Sequence, residues 1–150
     1  MLEKLIPEII SRGVKVAVLK NGGHFKPDVP GTDTYRFLEV GACGTIIFDD
    51  HQFSLSRKSL PPYEELFTLF PDADLLLVEG LRDTAIPKLE MVKPDDERSP
   101  RLSEDKVLGY IAENAAFEAN VPVFDREDVK GIVDFILELY ESGALTGAVV

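Results

Sequence analysis

The sequence predicts one α/β domain with a mainly parallel sheet and helices on both faces. The clearest sign is the stretch Asp74-Leu75-Leu76-Leu77-Val78-Glu79-Gly80. A short continuous apolar run that ends in an acid and a glycine reads as a strand buried on both faces. A second sign is that apolar runs of strand length alternate with amphipathic stretches of helical spacing along the chain. The third is size: 150 residues suffice for one domain with a sizeable core. No internal repeat, low-complexity tract or linker marks a second domain.

Taken in order, Leu2, Leu5, Ile6, Ile9 and Ile10 fall at helical spacing, and Gly13 closes the helix. No N-cap residue precedes this pattern, and Pro7 is expected to bend or restart the helix. Residues 14–19 form a strand that runs into Lys20-Asn21-Gly22-Gly23-His24, a loop open to close approach by a ligand. Lys20 sits where a phosphate-binding lysine would lie or where a solvated one would. His24 reads as a ligand, a base or a plain turn residue.

Thr32 or Asp33 caps a short helix that ends at or just before Gly41. Asp33 and Arg36, three apart, share a face. They form either a surface ion pair or a carboxylate and guanidinium aimed at a nucleotide or metal. Residues 44–48 and 53–56 read as a hairpin turned by Asp49-Asp50-His51-Gln52, a polar turn rather than a metal site. After Pro61 and Pro62 a helix is expected to bury Tyr63, Leu66, Phe67 and Phe70. The strand of residues 74–78 delivers Glu79 to its carboxyl end, where open α/β sheets bind ligands. An acid there holds magnesium, activates water or merely solvates the strand end.

Residues 87–92 alternate as another strand, and the polar run 93–105 reads as a surface loop. Residues 106–112 and 121–124 supply two more strands. Asp125 is read as the cap of the last helix, whose stripe is Val129, Ile132, Val133, Ile136, Leu137 and Tyr140. Gly143 ends it, and the tail to Val150 is expected to fray.

The charge balance is 27 acids to 16 bases, a net −11. That argues against broad binding to nucleic acid or to an anionic membrane, while leaving room for a local basic cluster. The one cysteine, Cys43, excludes an intramolecular disulfide and fits a reducing, cytoplasmic setting. No apolar run approaches the roughly 20 residues that span a bilayer. Glu3, Lys4 and Glu8 within the first apolar pattern exclude a signal peptide there.

Several motifs agree in order and spacing: Leu2-Glu3-Lys4-Leu5-Ile6-Pro7-Glu8, Val16-Ala17-Val18-Leu19-Lys20, Gly31-Thr32-Asp33-Thr34-Tyr35-Arg36 with Gly41-Ala42, Leu75 through Gly80, Pro87-Lys88-Leu89-Glu90, and Pro122-Val123-Phe124-Asp125. As an ordered set they resemble the molybdopterin-guanine dinucleotide biosynthesis protein B (MobB) family, small dimeric GTP-binding proteins of P-loop NTPase-like fold. The resemblance covers nearly the whole chain. It departs at one point: no G-x-x-x-x-G-K-[ST] loop occurs in these 150 residues. In the family that loop, with the first strand, precedes the first helix, and its amides and lysine grip phosphate. The resemblance therefore implies a P-loop NTPase-like domain lacking its first strand and Walker A loop. A gap and two uncovered strand edges are expected where that strand is normally internal. A late start codon, a fragment or degenerate relative, and a strand lent by another copy each account for this.

The resemblance also implies roles. Glu79 would act near Mg2+, through water in the family's manner, as the catalytic and metal residue. Gly80 would let the backbone approach the terminal phosphate of GTP. Lys20, Asp33, Arg36 and Lys88 would contact phosphate, nucleotide or an anionic pterin, and Asn114 the base. The implied function is a GTP-binding accessory protein that assists attachment of GMP to molybdopterin, with slow GTP hydrolysis at best. It would work as a homodimer beside the molybdenum cofactor nucleotidyltransferase. A non-enzymatic adaptor that docks that enzyme or a cofactor carrier is the alternative. A nucleotide kinase or metallochaperone relative fits less of the chain.

Overall fold

The computed structural model describes residues 1–26, 28–93, 100–113 and 118–145. The chain divides into two compact units, Met1–Asn21 with Leu69–Val150, and Gly22–Thr68.

The first unit opens with α1 (Leu2–Ser11). The helix runs through Pro7 without a break, contrary to the expected restart. Pro7 lies on the exposed side of the helix, away from the buried Leu5 and Ile9. No side chain caps the helix at Met1, and Gly13 closes it at φ +82°.

β1 (Val16–Lys20) pairs in parallel with β4 (Leu75–Glu79), with Val16 opposite Leu75 and Lys20 opposite Glu79. β5 (Leu89–Met91), β6 (Gly109–Ala112) and β7 (Val123–Asp125) form a second parallel ladder in the order β5-β6-β7. Among the described residues β4 and β5 each have a single strand neighbour, so each carries one unpaired edge.

One helical layer spans both ladders. Leu5 and Ile9 of α1 meet Ile132, Val133 and Ile136 of α4 (Val129–Glu141) over Leu75, Leu77, Leu89 and Ile111. Leu76 and Val78 alternate to the other face of β4 and are buried too, which accounts for the unbroken apolar run. Asp128, not Asp125, caps α4: its carboxylate accepts the Gly131 N–H at 3.0 Å. Asp125 instead ends β7 and accepts the N–H of Glu127. Both are acids followed at short distance by a helical stripe, and the sequence pattern alone does not choose between them. Lys106 falls in a single 3₁₀ turn before β6 rather than in the strand.

In the second unit, Thr32 caps α2 (Asp33–Glu39), accepting the Tyr35 N–H on its hydroxyl. The antiparallel hairpin β2 (Gly44–Phe48) and β3 (Phe53–Arg57) follows. Its turn is held by Asp49, whose carboxylate accepts the N–H groups of His51 and Gln52. α3 (Tyr63–Phe67) is one turn shorter than expected. The anticipated stripe is only partly covered: Leu66 and Phe67 are half-buried, while Tyr63 is 37 % and Phe70 48 % exposed. Its second turn fails because Thr68 closes the helix and Pro71 follows. Asn114 and the tail 146–150 lie outside the described residues.

Candidate functional site

The parallel register places Lys20 and Glu79 side by side at the carboxyl ends of β1 and β4. Lys20 Nζ lies 3.1 Å from Glu79 Oε1, and both side chains remain more than half exposed. An ion pair so exposed adds little stability. Its value lies in placing a cation and a carboxylate at the strand ends.

Gly80 turns the chain immediately afterwards at φ +96°. A Cβ there would come within 3.0 Å of the Asn21 side chain and carbonyl, so both the backbone angle and the space require glycine. Leu81 follows at φ +52°, a conformation unusual for a branched side chain. Asn21 N–H donates to the Glu79 carbonyl at 2.8 Å, tying the two strand ends together.

These groups border a cleft of about 380 Å³. Lys20, Glu79 and Gly80 line it from the polar side, and Leu5, Leu89 and Ile111 from the apolar side. The cleft lies between β4 and β5, each of which has an unpaired edge among the described residues.

The donor set suits magnesium only in part. Among the described residues no cluster of three or more His, Cys, Asp or Glu side chains is placed to hold a metal. Mg2+ usually takes one or two carboxylates and completes its shell with water and substrate phosphates, so Glu79 alone is compatible with such an ion but not with a metal held by protein alone. Asp33 and Arg36 pair with each other on α2 and are about 70 % exposed. They belong to the other compact unit. His24 is exposed, and Asp49, Asp50 and His51 form the hairpin turn.

Lys88 is the site residue that departs most from expectation. It does not line the Lys20–Glu79 cleft. It is 5 % exposed, and Nζ donates to the carbonyls of Arg82 at 2.9 Å and Thr84 at 2.6 Å. It borders a separate cavity of about 630 Å³ enclosed by residues 82–88 and 102–108. Two residues on, Glu90 accepts the N–H groups of Arg101 at 2.7 Å and Leu102 at 3.0 Å. Pro-Lys-x-Glu is thus a pair of backbone clamps, one for each loop around that cavity. The sequence offered Lys88 and Glu90 as a motif, and only the fold shows which loops they hold.

Burial lowers the pKa of the Lys88 ammonium; Asp83 opposes this and Lys106 reinforces it. The folded state therefore gives up this proton before the unfolded chain does, whose lysine titrates near 10.5. Below the folded value the cost of the buried charge is fully present. Between the folded value and 10.5 the unfolded chain binds more protons, and this group makes stability rise with pH. We predict that Lys88→Met removes this alkaline gain: urea unfolding from neutral to alkaline pH should show wild type gaining on the variant as pH rises. A difference independent of pH would contradict the assignment.

A family model for molybdopterin guanine dinucleotide synthesis protein B (MobB) matches residues 1–113. The chain is 30 % identical over 147 residues to the molybdopterin-guanine dinucleotide biosynthesis adapter protein of Escherichia coli (strain K12), covering 92 % of this chain and 83 % of that one. It is 32 % identical over 141 residues to the protein of the same name from Haemophilus influenzae, covering 91 % and 79 %. The crystal structure of Bacillus subtilis MobB superposes with a TM-score of 0.72 at 23 % identity, over 91 % of this chain and 86 % of that one. The motifs from Leu2 to Glu90 that line the cleft and the cavity fall inside the matched region, and this protein belongs to the MobB family.

Proposed function

We propose that this protein is a GTP-binding accessory protein of molybdenum-cofactor biosynthesis that assists attachment of GMP to molybdopterin. Family membership supports the pathway, since the bacterial relatives carry molybdopterin-guanine dinucleotide biosynthesis in their names. One observation carries the nucleotide reading: the Lys20–Glu79 pair at the carboxyl ends of adjacent parallel strands, beside a glycine turn and an open cleft. That is the edge of an α/β sheet where ligands bind.

In this reading Lys20 neutralises phosphate oxygens and Glu79 holds Mg2+ through water. Gly80 leaves the backbone free of a Cβ where phosphate approaches. Bound Mg2+ would supply charge neutralisation on the phosphates. Asp33 and Arg36 contribute at the phosphate end or to the partner subunit. The cytoplasmic partner is the molybdenum cofactor nucleotidyltransferase, which performs the chemistry.

The second reading is docking without nucleotide. It is favoured by the word adapter in the relatives' names and by the lack of a G-x-x-x-x-G-K-[ST] run in these residues. The paired substitution Asp33→Ala, Glu79→Ala separates the two. The nucleotide reading expects support of molybdopterin-guanine dinucleotide formation to fall about tenfold or more, the scale of losing a metal-linked carboxylate and its charge. Full support from the double variant would leave docking as the function.

We further propose that the protein is a homodimer. Ile46, Phe48, Phe53 and Leu55 share one face of the hairpin and are each more than half exposed, an apolar surface that a second copy would cover. Light scattering at micromolar concentration should give twice the 16.6 kDa chain mass. A monomer would refute this part of the reading.

A further inference from the structure

The cavity of about 630 Å³ beside Lys88 is within the same unit as the Lys20–Glu79 cleft but shares no lining residue with it. Its size falls in the range of small-molecule sites, roughly 300–1,000 Å³. Ile86, Leu102, Val107 and Leu108 give it apolar walls. Its polar lining includes three cations, Arg82, Lys88 and Lys106, and two acids, Asp83 and Asp105.

Arg82 Nε lies 3.4 Å from the neighbouring Asp83. Among the described residues neither Lys88 nor Lys106 makes a direct ion pair, although Asp83 attracts Lys88 and Asp105 attracts Lys106 from a greater distance. In a chain of net charge −11, two ammonium groups without a direct ion pair bordering one cavity are unexpected on composition alone. Burial outweighs the attraction of Asp83 for the Lys88 charge, and Lys106 is close enough to add repulsion.

Lys88 is also held in place. Two of its three N–H donors are taken by the carbonyls of Arg82 and Thr84, and its own carbonyl accepts the Leu108 N–H at 2.7 Å. The loop it clamps is fixed further by the Thr84 hydroxyl donating to the Leu81 carbonyl at 2.7 Å. Glu90 fixes the opposite wall through Arg101 and Leu102. The ammonium is thus preorganised, with one donor left for a ligand.

We infer that this cavity binds a small organic phosphate, its anionic group between Lys88 and Lys106 and its apolar body against Leu102 and Leu108. The binding is independent of the nucleotide reading, because Lys20 and Glu79 take no part. A dianion offsets the repulsion between the two lysines and completes the donor set of Lys88.

Phenyl phosphate is a suitable probe, followed by 1H–15N NMR of the full chain, with benzoate as the carboxylate comparison. Saturable shifts are expected at the amides of residues 82–88 and 102–108, with weaker binding for benzoate. Lys106→Gln, on an exposed side chain, should weaken phenyl phosphate by about fivefold or more, and Lys88→Gln should abolish saturation. Lys20→Ala should leave both affinity and shift pattern unchanged. The inference is overturned if phenyl phosphate does not saturate in the millimolar range, if benzoate binds as tightly, or if Lys106→Gln binds as well as wild type. Loss of binding in Lys20→Ala would place the phosphate in the other cleft and overturn it equally. Should Lys88→Gln fail to fold, Lys106→Gln and Lys20→Ala decide the matter.

Discussion

Leu5 and Ile9 of α1 and Ile132, Val133 and Ile136 of α4 pack over side chains from two strand ladders that, among the described residues, share no backbone hydrogen bond across the β4–β5 boundary. The packing of these helices joins the β1–β4 pair to β5-β6-β7 in one core. Each fully buried aliphatic side chain of this layer contributes about 1.5–3 kcal/mol. The Lys4–Glu127 pair at 2.6 Å adds a link from α1 to the segment before α4, but it is exposed and secondary. Everything proposed for the first unit depends on this layer, because both the cleft and the cavity are bounded by elements that it holds in register.

The consequence for function is a division of labour along β4 and β5. Glu79 and Gly80 at the end of β4 present charge and open backbone to the cleft between β4 and β5. Lys88 and Glu90, flanking Leu89 in β5, turn inward to clamp loops. The same alternation that buries Leu89 sets Lys88 and Glu90 on a common face. One motif is exposed chemistry at a strand end. The other is polar scaffolding that leaves a lysine with spare donor capacity.

Much of this was legible in the sequence because it rests on short-range pattern. The run from Leu75 to Val78 announced a strand buried on both faces, and Thr32 or Asp33 announced a helix start, with the Thr32 hydroxyl proving to be the cap. Glu79 and Lys20 were readable as strand-end residues, but their side-by-side placement needed the register of β1 against β4. What escaped was set by tertiary context. Pro7 is tolerated because its side of the helix faces water, and α3 stops before its apolar stripe is complete. Lys88 read as a ligand contact of the same site as Lys20, whereas its Nζ belongs to a different cavity. No spacing rule distinguishes a lysine that meets a nucleotide from one that caps two carbonyls.

The central functional claim is that the cleft at the end of β4 takes a magnesium-bound guanine nucleotide. Calorimetric titration of this chain with Mg·GTP, and with Mg·ATP as comparison, tests it most directly. The account predicts saturable binding that favours GTP and is weakened by Glu79→Ala. Absence of binding heat for Mg·GTP, or equal binding by the Glu79→Ala variant, would contradict it.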